Sequence, residues 1–585
     1  MDRNNQTHSS SSIISIAFII ISAFAFNGNI LAQGTWIPVT NIAPDGGFGG
    51  MLLLSDGTVI VKTQTGAMNG NVWNKLTPDI NGSYVNGTWS TIAPMNDDRL
   101  YFSSQVLKNG QVYVAGGEYG SGYGSAEVYN PLTDVWTPVP PLAYTDSFID
   151  ANSEILPNGK VLQSLFNFSL GNRANYIYDP ASNTFTSGPM CMGAKAESTW
   201  LKLPDGSILF VDLASNASER YIPASGTWVA DATVPVALYD TVISETGPSV
   251  LLPDGRGFFL GATGHTAFYT PSGSASPGTW AAGPDMPDSQ ATPDAPAAMM
   301  VNGKVLFTTS NQPTDSNWFP SPMSFYEFNY LTNSFTRIVG PTGDDTVSAA
   351  PYITTMLDLP DGSILFGIWS NQYFVYVPDG IPLPAGKPTI TNLRRVNCST
   401  YQITGTLFNG ITEGASYGDD WQMATNYPII RLKSGTDVYY ARSYNWNRTG
   451  VMTGSLPDTA MFTLPATLPM GTYTLEVVAN GNPSAPTSLT TCPDYVSNIS
   501  AQQNGIYAYP DPATDKATIV FDSQYGGTYK IRLLDMVGQV ITEETGETGP
   551  GKNEHLLHLD GLARGMYILS FQQEGTDYKT KIVLE

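Results

Sequence analysis

Short apolar runs alternate with polar turns at a nearly constant interval along most of the chain. An apolar run meets Asp-Gly or Asn-Gly, and a second apolar run follows. The turns are Asp56-Gly57, Asn109-Gly110, Asn158-Gly159, Asp205-Gly206, Asp254-Gly255, Asn302-Gly303 and Asp361-Gly362. Successive turns lie 53, 49, 47, 49, 48 and 59 residues apart. Asx-Gly supplies the positive φ that a tight hairpin demands, so each turn joins two neighbouring strands. An aromatic marker keeps step at Trp36, Trp89, Trp136, Phe185, Trp228, Trp280 and Phe335. Between the markers lie tyrosine-bearing runs such as "EVYNP", "YIYDP" and "AFYTP". Each unit therefore predicts four strands: inner strand, Asx-Gly turn, second strand, tyrosine-bearing third strand, aromatic fourth strand. Four strands repeated about every 50 residues predict the blades of a β-propeller. Seven turns and seven aromatics predict seven blades over residues 33–380. Trp36 has no turn before it, and Asp361-Gly362 has no such aromatic after it. The strand around Trp36 should then complete the last blade and remove a free sheet edge.

Pro382, Pro384 and Pro388 mark a linker. Residues 388–493 return to strand and turn ("TYQITGTLF", "YPIIRLKSG", "VYYARSYNW") and predict an immunoglobulin-like sandwich of the E-set kind. Residues 505–585 predict a second, smaller β-sandwich, so the whole chain reads as all-β. The stretch Ala115–Trp136, "AGGEYGSGYGSAEVYNPLTDVW", resembles the kelch variety of propeller repeat. The tail closely resembles the C-terminal sorting domain of proteins exported by type IX secretion. The pieces that carry this are Tyr509-Pro510-Asp511-Pro512-Ala513, Leu534-Asp535-Met536-Val537-Gly538-Gln539, Gly565-Met566-Tyr567 and Lys579-Thr580-Lys581-Ile582-Val583. This resemblance implies export, engagement of the type IX machinery through residues 505–585, and a product that is secreted or held on the outer cell surface.

The N-terminus fits that route. Arg3 precedes an apolar run from Ile13 to Phe26, and Ala32-Gln33 is a plausible cleavage point, so residues 1–32 read as a signal peptide. The run is shorter than the ~20 residues of a spanning helix, so no transmembrane anchor is expected in the mature chain. With 27 Lys and Arg against 50 Asp and Glu, the net charge is −23. Such a surface repels phosphate backbones and argues against a nucleic-acid partner. Of three cysteines, Cys398 and Cys492 bracket the predicted immunoglobulin-like domain and are candidates for a disulfide, which leaves Cys191 as a small buried residue.

Strand direction alternates outward through a propeller blade, so residues just before each inner strand converge on one mouth of the central channel. Asp150, Glu197 and Asp294 each lie eight residues before their Asx-Gly turn, and Glu245 lies nine before its own. Four successive blades thus place a carboxylate at nearly one height. Tyr352 is nine before Asp361, and His265 falls at a hairpin on the same face. Four carboxylates facing one funnel repel each other unless a cation, a polyhydroxylated ligand or raised pKa values relieve them. The ligand-binding candidates are Asp150, Glu197, Glu245, Asp294, His265 and Tyr352. Asp150, Glu197, Glu245 and Asp294 are the metal candidates, with Ca2+ the fitting ion. Glu197, Glu245 and His265 are the candidates for acid–base work.

A propeller followed by an immunoglobulin-like domain resembles the galactose oxidase and glyoxal oxidase superfamily. "YITTMLDLPDGSILFGI" in the last blade and "LPMGTYTLEVVANGNPS" in the sandwich carry the likeness. That family binds copper through two tyrosines and two histidines. Tyr352 takes one tyrosine's place, but Ile353 stands where a histidine should be, and the sandwich histidine corresponds to about Tyr439. One of the family's tyrosines is cross-linked to a cysteine, and Asp150 lies near that tyrosine's place. With the nitrogen ligands gone, copper is not expected. The sequence therefore leaves two readings: a secreted or surface protein recognising an extracellular glycan or protein partner at an acidic mouth, or an extracellular carbohydrate-active enzyme, a glycoside hydrolase or lyase.

Overall fold

The computed structural model describes residues 33–492 and 507–584, apart from residues 47–48, 67–68, 142–145, 168–170, 214, 420, 511, 524–525, 537 and 574–575. The expected signal peptide lies outside the described residues. The described fold is all-β, with three single 3-10 turns and no helix long and apolar enough to cross a membrane.

The Asx-Gly repeat folds as a series of four-stranded antiparallel meanders arranged as a β-propeller. Their inner strands are Met51–Leu53, Ser103–Val106, Ser153–Ile155, Leu201–Lys202, Ser249–Leu251, Ala297–Met299 and Thr354–Asp358, all buried. Every turn glycine holds a φ between 78° and 89°, the conformation for which Asx-Gly was read. At Gly57 a side chain is excluded twice, because a Cβ there would also lie 2.5 Å from the Tyr440 ring.

In four units the tyrosine of the third strand and the aromatic of the fourth are direct cross-strand partners, while in the first unit Leu76 faces Trp89. Tyr129 faces Trp136, Tyr178 faces Phe185, Tyr221 faces Trp228, and Tyr269 faces Trp280. Their ring centroids lie 5.0–5.5 Å apart, close enough for the aromatic pair to add to its area burial. Trp36 faces Tyr376 across the pairing of Thr35–Pro38 with Phe374–Val377. The N-terminal strand thus completes the last meander and joins the ends of the ring.

The second unit runs from Thr389–Arg395 to Thr487–Thr490. Its strand Asp437–Tyr444 is shared: Asp437–Ala441 pairs with Ile429–Ser434, and Arg442–Tyr444 with Asp458–Thr463. A disulfide joins Cys398 to Cys492 across 94 residues. Closing a loop of that length contributes about 4–5 kcal/mol on a chain-entropy argument. This unit packs on the propeller face that carries the Asx-Gly turns. Arg442 donates to the Asn109 carbonyl, and Arg431 donates to the Pro360 carbonyl at 3.2 Å.

One segment departs from the sandwich expected over residues 388–493. Gly414–Ser416 and Gln422–Ala424 form a hairpin that leaves the second unit and enters the centre of the propeller. There Ala415 and Ser416 pair with Ala298 and Ala297 of an inner strand. The hairpin also touches the inner strands Met51–Leu53, Ser103–Val106, Ser249–Leu251 and Thr354–Asp358. Pairing with a strand more than a hundred residues away leaves no local sequence signal, so a pattern-based reading keeps the hairpin in its own domain.

The tail has two sheets, one of Tyr507–Tyr509, Lys516–Ser523 and Gly551–His558, the other of Gly527–Leu534, Val540–Thr548, Gly565–Gln573 and Thr576–Leu584. Ile519, Phe521, Ile531, Leu533, Leu569 and Phe571 fill the core between them.

Candidate functional site

The predicted mouth positions share an unusual backbone. Asp150, Glu197 and Asp294 hold φ of 47°, 56° and 44°, and Tyr101, eight residues before its own turn, holds 53°. Ser244, just ahead of Glu245, holds 67°. A non-glycine residue in the left-handed region costs about 1–2 kcal/mol, so a repeated departure is retained where side-chain direction matters. The neighbouring backbone fixes these residues. Thr246 Oγ1 donates to the Glu197 carbonyl at 3.0 Å, the Asp294 N–H donates to the Thr246 carbonyl at 3.2 Å, and Asn152 Nδ2 donates to the Ser198 carbonyl at 2.8 Å.

The inserted hairpin brings one more carboxylate. Its tip carries Asp419 from the turn-bearing face through the channel to the mouth. Oxygens of Glu197, Glu245 and Asp419 all lie within 4.8 Å of one another. The tip passes so close to the ring that a Cβ on Gly418 would stand 2.9 Å from Asp294 Oδ1. Thr246 Oγ1 also donates to the Gly418 carbonyl, at 3.2 Å.

Lower down, Lys202 Nζ reaches Glu154 at 2.6 Å and Glu413, at the base of the hairpin, at 2.8 Å. Gln422 is clasped by two inner-strand residues and by Asn152, just ahead of one of those strands. Its side-chain carbonyl accepts from the Ser104 N–H at 3.2 Å and Ser153 Oγ at 3.0 Å, and its Nε2 donates to Asn152 Oδ1 at 3.1 Å. Trp421 stacks on Tyr101 at 5.1 Å.

Electrostatics mark the site more sharply than shape. Burial first, then the Asp419 charge, lifts Asp150 to about 7. Burial and Asp419 hold Glu197 well above the usual carboxylate range. The same pair of causes acts on Asp294, and burial with the Asp294 charge acts on Glu245. Glu197 and Glu245 each bring an oxygen within 4.8 Å of one of Asp419, and Glu245 also faces the Asp294 charge. Ionised carboxylates so close repel one another, so the group needs bound protons or a cation. Glu245 Oε2 and Asp294 Oδ1 are buried with no donor in reach among the described residues.

All four predicted mouth carboxylates therefore come together. Tyr352 sits in the 3-10 turn Pro351–Ile353, where its carbonyl accepts from Tyr417 Oη at 2.8 Å and its ring packs on Phe319 at 4.7 Å. His265 is placed on Asp285, Nδ1 to Oδ1 at 2.8 Å, at a half-exposed position. Tyr439 lies on the strand Asp437–Tyr444 edge-on to Tyr473, and the second unit reaches the mouth through Gly418 and Asp419 instead. Asp419 was not singled out by the sequence pattern, and neither was Glu118 at the rim. The only local signal for Asp419 is its Gly-Asp-Asp run, set between two three-residue strands.

Exposed aromatics stand on loops of the mouth face. Tyr119, Tyr123, Trp318 and Trp369 are each at least half exposed, all in loops between second and third strands. Tyr119 adjoins the carboxylates directly: its hydrogen bond to Glu118, burial, and the charges of Glu118, Asp150 and Glu197 push its hydroxyl up to about 12.

Comparison with known proteins identifies two parts of the chain. Residues 105–143 match the kelch motif family, and residues 498–585 match the secretion system C-terminal sorting domain family. The chain is similar to an F-box/kelch-repeat protein of Arabidopsis thaliana, 30% identical over 189 residues, which is 27% of this chain. The match spans 39% of that relative's length. Among solved structures, a fungal alcohol oxidase of the AA5 family in complex with copper aligns at 16% identity and a TM-score of 0.47, over 79% of this chain and all of that one. Virginiamycin B lyase from Staphylococcus aureus aligns at 13% identity and a TM-score of 0.41, over 59% of this chain and 99% of that one. The chain thus carries a kelch motif within its β-propeller and a C-terminal type IX sorting domain. It is secreted to the outer cell surface through that domain, which engages the type IX machinery.

Proposed function

We propose that this protein is a surface recognition module that binds an extracellular glycan at the propeller mouth. In this reading it is a seven-bladed kelch-type propeller over residues 33–380, followed by an immunoglobulin-like domain over 388–493 and the sorting domain over 505–585. The observation that carries the reading is the pairing of an acidic centre with an aromatic rim. Asp150, Glu197, Glu245, Asp294 and Asp419 offer acceptors to sugar hydroxyls, and Tyr119, Tyr123, Trp318 and Trp369 offer flat apolar faces with polar tips.

A glycoside hydrolase or lyase is the competing reading, favoured by carboxyls that burial and neighbouring charge push above the usual carboxylate range. Oxygen separation weighs against it. Glycosidase carboxyls flank the scissile bond, about 5–5.5 Å apart in retaining enzymes and about 6.5–9.5 Å in inverting ones. Here oxygens of Glu197, Glu245 and Asp419 all lie within 4.8 Å of one another, closer than either arrangement.

The test is to incubate the full chain with a panel of insoluble polysaccharides, measure retention, and search the supernatant for shorter products. Retention without products supports recognition. Product release that disappears in Glu197→Gln would make the protein an enzyme and overturn the reading.

A further inference from the structure

We propose that the mouth holds a hard divalent cation of the Ca2+ class, ligated by Glu197, Glu245 and Asp419, with Asp150 and Asp294 as the surrounding carboxylates. The cation would join the propeller ring to the hairpin of the second unit. This deepens the reading of the mouth as the binding site and rests on it.

The geometry comes first. Two oxygens on one Ca2+ at about 2.3–2.6 Å can stand no more than about 5.2 Å apart. The oxygens of Glu197, Glu245 and Asp419 meet that limit, all lying within 4.8 Å of one another. They come from three separate segments, two entering inner strands and one at the inserted tip, so no local turn accounts for their convergence.

An unpartnered ligand atom is the second observation. Glu245 is 8% exposed, one of its carboxylate oxygens belongs to this group, and its Oε2 has no hydrogen-bond donor among the described residues. A buried carboxylate oxygen without a donor is costly unless a cation supplies the missing partner. Lys202, the buried lysine of the channel, does not supply it, because Glu154 and Glu413 already engage its ammonium.

Donor chemistry selects the ion. Carboxylate oxygens suit hard cations, whereas copper and zinc sites draw on imidazole or thiolate. Ca2+ accepts several carboxylates in an irregular shell, but Mg2+ demands near-octahedral geometry and keeps its waters. The same ion would leave coordination positions open toward the mouth for ligand hydroxyls.

The experiment is a calcium titration of the metal-depleted full chain, followed by calorimetry, elemental analysis and thermal melting, with no glycan present. The expected result is uptake of about one Ca2+ per chain, a higher melting temperature on loading, and affinity for Mg2+ about tenfold or more weaker. Glu197→Gln and Asp419→Asn should lose affinity about tenfold or more while still melting cooperatively without metal, at or above the wild-type temperature, because a mutual repulsion is removed. No uptake at millimolar Ca2+, or uptake unchanged in both variants, would overturn the proposal. So would metal-free variants that melt well below wild type, which would mean that the carboxyls are held by shared protons as a structural network. Glycan retention that persists in chelator would leave recognition standing while the cation falls. Normal Ca2+ uptake with no glycan retained would do the reverse.

Discussion

Without a cation, Glu197, Glu245, Asp294 and Asp150 are pushed toward their protonated forms for a physical reason that sets the sign of a pH effect. Each has a folded pKa raised by burial and by neighbouring carboxyls, with Asp419 and the rim residue Glu118 among the charges they face. A carboxyl with a raised folded pKa adds stability that is complete below its unfolded pKa, about 4. That stability is lost as pH rises through the folded value. For Asp150 the loss is centred near pH 7. The metal-free chain should therefore melt at a higher temperature at pH 5 than at pH 8, and Glu197→Gln should flatten the profile. Melts in chelator across that range check it, and stability that rises toward pH 8 would contradict the assignment. The positions of these four carboxyls were legible in the sequence because each is counted from an Asx-Gly turn that fixes strand register. Asp419 was not, because its neighbours at the mouth are more than a hundred residues away and its place depends on a hairpin that crosses the channel.

Among the elements, the hairpin Gly414–Ala424 matters most to the site, and its anchor is a buried charge cluster. Lys202 is 2% exposed at its side chain, with Glu154 at 4% and Glu413 at 15%. One lysine neutralises one of two carboxylates. Burial, together with Glu413, accordingly holds Glu154 up to about 8. Removing the lysine leaves both acids without a counter-charge. Lys202→Met should cost about 3–5 kcal/mol in a denaturant titration, and adding Glu154→Gln and Glu413→Gln to it should recover most of the loss. A single-variant loss below about 1 kcal/mol would show that the cluster is solvated, since exposed pairs contribute no more than that. The strand pattern elsewhere was readable for the opposite reason. Asx-Gly turns and Tyr–aromatic pairs are local, so the four-strand unit follows from spacing, and the count of turns against aromatics assigns the Trp36 strand to the last unit, where it pairs with Phe374–Val377.

For the whole molecule, the chain is a ring of short sheets with its second unit on one face and its acidic mouth on the other, and it carries a C-terminal sorting domain. Truncation before residue 498 should abolish delivery to the outer surface and leave residues 33–492 folded inside the envelope, as judged by cell fractionation and protease shaving. Surface delivery of the truncated chain would contradict the role of the tail. The central claim is that recognition happens at the mouth, and the most direct test is a glycan array probed with the full chain and with the double variant Tyr119→Ala, Trp318→Ala. These two side chains are exposed on mouth-face loops, and their removal leaves the core untouched. The account predicts a defined set of bound glycans for the wild type and a loss of about tenfold or more in the variant. Equal binding by both proteins, or silence from both, would contradict it and move the search to the groove between Asp79 and Tyr440 on the opposite face.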